Sequence, residues 1–274
     1  MSLRPIIRAL SQLLVVALLS FPTLAQQSVP PIPSTGFPDL DQYRASRVSI
    51  YVNDFGQLAR YRDANAALAP AVAGENRVVF LGDPITDYWK LPDDFPGKPY
   101  INRGIDGQTT PEMLVRFRQD VLNLHPKVLV VLAGTNDIAG VTGPASNEDI
   151  ESNYASMADL ARAHHIRIVF ASLLPVHNYT HDAQESFALR PRERILALNK
   201  WLKNYCAQNG FVYLDYFNSL VDERGLLQRA LSDDGLHPTD AGYKLMAALV
   251  EKAIQKALAA DSSRQALVGK PSPR

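Results

Sequence analysis

Four short segments of this chain hold the residues whose types and spacing can do chemistry. They are Gly82-Asp83-Pro84-Ile85-Thr86-Asp87, Gly104-Ile105-Asp106-Gly107, Gly134-Thr135-Asn136-Asp137 and Asp233-Asp234-Gly235-Leu236-His237-Pro238. Histidine titrates near neutrality, so His237 suits a general base. Asp234, three residues earlier, can orient the imidazole and stabilise its cation. Glycine backbone amides and asparagine carboxamides are neutral hydrogen-bond donors. Singly, each segment is an ordinary turn: Gly-Asp bends backbone, and Asp234 can simply cap the helix that follows. All four in this order are far more specific.

These segments need elements that bring them together. Arg77-Val78-Val79-Phe80-Leu81 and Val128–Leu132 are short, continuous apolar runs, the pattern of strands covered on both faces. Pro99–Asn102, Ile166–Phe170 and Phe211–Leu214 read as further strands. Between them, Pro111–Leu124 carries Met113, Leu114, Phe117, Val121, Leu122 and Leu124 at helical spacing. Helices are also expected at 147–164, at 192–208 with Gly210 beyond its end, and at 240–259, with one or two more between Tyr43 and Leu68. Strands alternating with helices make an α/β fold with a central parallel sheet. In such a sheet, sites gather at the carboxyl ends of strands, where three of the four segments fall.

On these blocks the chain resembles the SGNH, or GDSL-like, hydrolase superfamily of esterases and lipases, of the secreted bacterial acylhydrolase type. The likeness covers most of residues 77–258 and includes Phe80-Leu81-Gly82-Asp83 and Asn199-Lys200-Trp201-Leu202. It implies a flavodoxin-like three-layer αβα sandwich, the SGNH hydrolase fold. It also implies oxyanion donors at Gly107 and Asn136, a catalytic Asp-x-x-His pair at Asp234 and His237, and a serine nucleophile directly after Gly82-Asp83.

Pro84 stands where that serine belongs. Its side chain has no heteroatom to acylate, and it has no backbone N–H, which in the family is an oxyanion donor. Losing one such donor costs about 2.7–4 kcal/mol in a well-studied case, and losing the nucleophile costs more. The fold should survive, because proline is favoured at the first position of a helix. Three rescues are conceivable: attack by Thr86, attack by Asp83, or water activated by His237. Thr86 is about 200° around a helix start from residue 84, and Asp83 is a poor nucleophile towards esters. The chain therefore reads as a carboxylic-ester hydrolase scaffold that is inactive or severely impaired. The alternatives are a non-catalytic protein binding acyl or glycosyl ligands, an active esterase whose Pro84 is an engineered change or a sequence artefact, and a purely structural protein retaining the fold.

Bulk properties narrow the rest. Arg4 and Arg8 precede an apolar run from Ala9 to Leu19, and Thr23-Leu24-Ala25 offers small residues for cleavage, the layout of a secretory signal peptide. A secreted or periplasmic protein is expected, with no stable membrane anchor. Residues 26–40 form a proline-rich leader, 41–260 a single domain, and 261–274 a disordered tail. Basic and acidic residues number 28 each, which gives no electrostatic case for nucleic acid. Cys206 stands alone and reads as a helix residue. No cofactor is expected; the partner is a small acyl ester or an acylated carbohydrate, and the oligomeric state is not legible. His177 and His181 lie four apart, but the surrounding Pro175 and Asn178-Tyr179-Thr180 favour a polar loop over a metal site. The long connection from Leu174 to Pro191 is expected to form a substrate-facing rim exposing Tyr179, His181 and Phe187.

Overall fold

A computed structural model describes residues 33–268; the signal peptide and most of the leader lie outside them. The chain runs α1 (Pro38–Asn53), α2 (Arg62–Ala67), β1 (Val78–Gly82), α3 (Pro84–Asp87), α4 (Leu91–Asp94), β2 (Tyr100–Gly104), α5 (Thr110–Asp120) and β3 (Val128–Leu132). It continues through α6 (Thr135–Ala139), α7 (Asn147–Ala163), β4 (Arg167–Ala171), α8 (Ala183–Ala188), α9 (Arg192–Asn209), β5 (Val212–Leu214), α10 (Phe217–Leu220) and α11 (Asp240–Val268).

The five strands pair in parallel in the order β2-β1-β3-β4-β5. This is the flavodoxin-like arrangement, in which the order reverses beside β1 and leaves a crevice at its carboxyl end. Every residue of β1 and β3 is buried. Alternate side chains serve the two faces: Val79, Leu81, Leu129 and Val131 pack with Met113, Phe117, Tyr154 and Leu198, whereas Val78, Phe80, Val128 and Val130 pack with Trp89, Met246, Val250 and Ile254. Continuous β-branched and aromatic runs are thus explained by helices on both faces, which completes the three layers.

Local chemistry sets most boundaries. Thr109 and Glu112 form a capping box at the start of α5, Ser146 and Asp149 another before α7, and Gly210 adopts the left-handed conformation that ends α9. Three expectations need correction. The α5 helix stops at Asp120, because Val121 leaves helical geometry and Leu122–Leu124 form a tighter 3-10 turn. The leader does not extend to residue 40: Pro38 occupies the first turn of α1, and Asp41 accepts hydrogen bonds from the Ser34 hydroxyl and from the Thr35 amide and hydroxyl. The last helix continues past Ala260 to Val268, since residues 261–268 contain neither glycine nor proline. Cys206 is buried in α9 and free.

A buried ion pair ties the sheet to the crevice. Arg116 and Asp120, both fully enclosed, meet at 3.1 Å on α5. The same guanidinium donates to Gln108 Oε1 at 2.5 Å and to the carbonyl of Gly82 at 3.2 Å. Removing one partner of such a pair strands a buried charge, which costs about 3–5 kcal/mol. Asp120→Ala is therefore expected to lower unfolding stability by about that much in urea titrations. A loss below about 1 kcal/mol would mean that water or a neighbour already satisfies Arg116.

Candidate active site

The β1–α3 turn is dictated by close approach. A Cβ at Gly82 would lie 2.1 Å from Thr86 Oγ1 and 2.7 Å from the Leu132 carbonyl, so only glycine fits where β1 meets α3. Asp83 caps α3 by accepting the Ile85 amide at 3.0 Å. Pro84 is the first helical residue and is buried. There its missing N–H leaves no helical hydrogen bond unmade, so the turn tolerates proline without strain.

The other segments arrive from β2, β3 and the approach to α11. Gly107, past the end of β2, has φ +70°, and a Cβ there would sit 1.7 Å from the Tyr43 hydroxyl oxygen. Asn136 lies on α6, whose N-cap Gly134 has φ +103°. Its amide orientation is determined from both sides: Nδ2 donates to the Gln108 carbonyl at 3.1 Å, and Oδ1 accepts from Arg190 Nη2 at 3.2 Å. One Nδ2 hydrogen remains for a ligand. Asp137, next to it, accepts the Thr110 amide with both oxygens at 3.0 Å, which ties α6 to α5.

His237 Nδ1 and Asp234 Oδ2 are 2.6 Å apart. The carboxylate can only accept from Nδ1–H, so the free Nε2 carries the lone pair of a base. Asp234 also accepts the Leu236 and His237 amides at 2.9 and 2.8 Å and the Ser232 hydroxyl at 3.2 Å. Burial alone would raise its pKa, but the hydrogen bonds from the His237 side chain and from these two amides outweigh it and hold the carboxyl well below the usual range. The Tyr88 ring packs against the imidazole with centroids 5.5 Å apart.

Pro84, Gly107, Asn136 and His237 all line one cavity of about 200 Å³, with Asp234 behind the histidine. Leu40, Tyr43, Ala139, Val141, Leu189 and Leu236 supply its apolar wall. Asp83 and Thr86 do not reach it: Asp83 is 1% exposed, and Thr86 Oγ1 is tucked beneath Gly82. A larger cavity of about 590 Å³, lined by Arg167, Ile168 and Val212, lies at the opposite, amino ends of β4 and β5 and brings together no base and acid pair.

The connection after β4 lines the cavity through residues other than those expected. Glu185, Ser186, Leu189 and Arg190 line it, whereas Tyr179 is half-buried and bonded to Asp222, and Phe187 packs against the core. His177 is fully buried and does not share a metal with the fully exposed His181. Instead its Nδ1 accepts the Tyr179 amide at 3.2 Å and its Nε2 faces the Ser232 carbonyl at 3.0 Å, which braces the Asp234–His237 loop. No metal-binding cluster occurs among the described residues. Arg190 had no sequence signal: it belongs to no motif, yet its buried guanidinium holds Thr135 and Asn136. Burial pushes its pKa down to about 10, against the opposing pull of Asp83 and Asp234.

Burial likewise pushes Asp83 up to about 7 and Asp137 up to about 6, although hydrogen bonds from the Ile85 amide and from Thr110 oppose it. Both acids keep protons in the folded chain that the unfolded chain has already lost. Their contribution to stability is complete below the ordinary carboxylate range and declines as pH rises through 6 and 7. Asp83→Asn retains the cap acceptor and removes this titration. Between pH 5 and 8 it is expected to abolish about 2 kcal/mol of the parent's stability loss, read by urea unfolding at each pH. Parallel pH profiles for the two proteins would show that Asp83 carries no such proton.

Over residues 80–245 the chain matches the GDSL-like Lipase/Acylhydrolase family. It is similar to the uncharacterized lipoprotein YqeF of Bacillus subtilis (strain 168), with 29% identity over 171 residues, 53% of this chain and 69% of that protein. Among solved structures it is similar to a GDSL-like lipase from Bacteroides thetaiotaomicron VPI-5482, at TM-score 0.69 and 39% identity, over 74% of this chain and 100% of the other. A catalytic mutant of an acetylxylan esterase from Geobacillus stearothermophilus shares the fold at TM-score 0.53 and 19% identity, over 68% of this chain and 96% of its own. The parallel sheet, the crevice at the end of β1 and the match across it agree: the chain belongs to the GDSL-like lipase/acylhydrolase family.

Proposed function

We propose that this protein is an acyl-ester hydrolase scaffold whose serine-esterase turnover has been lost at residue 84. In this reading His237 is the base, Asp234 its orienting group, and the Gly107 amide and Asn136 Nδ2 the oxyanion donors. One observation carries it: Pro84 lines the same cavity as His237, Gly107 and Asn136, where an attacking oxygen would have to stand. The residues that follow in the chain do not replace what proline removes. The Ile85 amide is already bonded to Asp83, and Thr86 lies outside the cavity. The ligand is a small acyl ester or an acylated carbohydrate. The pattern at the amino terminus and the likeness to a protein named as a lipoprotein support an extracytoplasmic, secreted or periplasmic location.

A second reading, a non-catalytic binding protein for acyl or glycosyl ligands, is favoured by the state of the remaining groups. The His237–Asp234 bond is short and the Asn136 amide is held from both sides, so the cavity remains pre-organised for an acyl group.

Hydrolysis of a short-chain aryl ester separates the roles of residue 84. The parent is expected at background and Pro84→Ser at least about 10³-fold above it. Pro84→Ala restores the amide without the hydroxyl and should stay near background, because an oxyanion donor without a nucleophile does not acylate. Equal rates for the parent and Pro84→Ser would sink the assignment of residue 84.

A further inference from the structure

The Gly107 amide, an oxyanion donor in the reading above, belongs to a peptide that its own sequence does not hold still. Counter-rotation about ψ of Asp106 and φ of Gly107 turns that peptide over with little movement of the chain. Glycine accepts the backbone angles on both sides of such a flip. One orientation aims the N–H at a given point and the other aims the carbonyl there. The donor is in place only when the peptide plane is fixed from elsewhere.

Helix α1, which precedes the family match at 80–245, supplies the fixing groups. The peptide is trans, so its carbonyl and N–H lie on opposite edges of one plane. Arg47 Nη2 donates to the Asp106 carbonyl at 2.6 Å. Asp106 and Gly107 line the cavity and Arg47 does not, so the carbonyl is held by a group outside it and the N–H is left on the opposite edge. Among the described residues the Gly107 amide meets no protein acceptor. The other polar groups of Asp106 are engaged as well. Its amide donates to Asp87 Oδ2 at 3.0 Å, and its carboxylate accepts from the Tyr88 hydroxyl at 3.1 Å and the Tyr43 hydroxyl at 3.3 Å. Tyr43, one helical turn before Arg47, also occupies the space that a Cβ at position 107 would need. The Arg47 guanidinium carbon lies 5.3 Å from the Tyr43 ring centroid, so the two side chains brace each other over this turn.

We propose that Arg47 is the positioning residue for the Gly107 oxyanion donor: its hydrogen bond to the Asp106 carbonyl fixes the peptide plane and presents the Gly107 N–H to the ligand. This role rests on the ester-hydrolase reading for the use of the donor, and goes beyond it in naming what holds the donor. Pro84 offers no backbone N–H, which leaves Gly107 as the backbone donor of that reading. Arg47 meets no reacting group and acts through one peptide.

The first arm of the test uses the parent chain and no ester. Arg47→Met removes the donor and keeps an unbranched stem over Tyr43. Amide relaxation dispersion at Gly107 is expected to be flat in the parent and to show microsecond-to-millisecond exchange in the variant. Arg47→Lys, which can still donate to the carbonyl, should suppress that exchange. Circular dichroism and thermal unfolding establish that each variant is folded, and Arg47→Ala takes the place of Arg47→Met if that variant is not. The second arm measures p-nitrophenyl acetate hydrolysis in the Pro84→Ser background. There Arg47→Met should lower kcat by about 10- to 100-fold, within the ~10²–10³-fold of a lost oxyanion donor, with KM changed by less than about three-fold. Arg47→Lys should recover most of that loss. A Gly107 amide equally rigid in the parent and in folded Arg47→Met overturns the clamp, whatever the ester assay gives. Exchange at Gly107 without a fall in kcat overturns it too, since the peptide then serves no step of turnover. If Pro84→Ser hydrolyses no ester, the esterase reading falls, and the relaxation arm alone decides whether Arg47 holds the peptide.

Discussion

A guanidinium sealed away from water must find acceptors for its N–H groups, and Arg116 finds them at the points where this site is assembled. It holds the Gly82 carbonyl at the end of β1, the Gln108 side chain beside Gly107, and Asp120 on its own helix. The Gln108 carbonyl in turn accepts from Asn136. A second enclosed guanidinium, Arg190, holds the other side of the same carboxamide. Because unsatisfied donors are costly in a dry interior, these bonds fix the relative positions of three strand ends that share no sequence neighbourhood. The cavity is pre-organised by hydrogen bonds made within the protein itself.

Against that rigidity, the substitution at residue 84 is structurally mild and chemically severe. The first turn of a helix asks nothing of its leading N–H, so proline satisfies the backbone there. Acyl transfer asks for both an attacking oxygen and an amide at the same position, and proline supplies neither. The neighbouring groups are ordered around it: Asp234 is held as a carboxylate by four donors, and the imidazole is oriented by Asp234 and packed by Tyr88.

Buried acids and bases at this crevice divide by partnership. Asp234 gains enough hydrogen bonds to overcome burial, whereas Asp83 has one amide and an oxygen with no partner, so burial dominates. The contrast arises from geometry within a few residues of each segment. The spacing to His237 marks the partner of Asp234 in the sequence, whereas nothing local marks the enclosure of Asp83.

Local sequence determined a great deal. Continuous Val-Leu-Phe runs, apolar residues at helical spacing and a glycine stop were enough to read the parallel sheet, the order of its helices and the four segments at its edge. These are short-range properties: strand burial shows in consecutive residues, and helix ends show in side chains within one turn. What the tertiary structure decided was everything that crosses the sheet. Arg190 and Arg116 sit in no motif, His177 reads as a loop residue yet is a buried brace, and Leu40 belongs to a segment read as leader yet lines the cavity. Such roles depend on which distant backbone atoms meet a side chain once water is excluded, and no local pattern records that meeting.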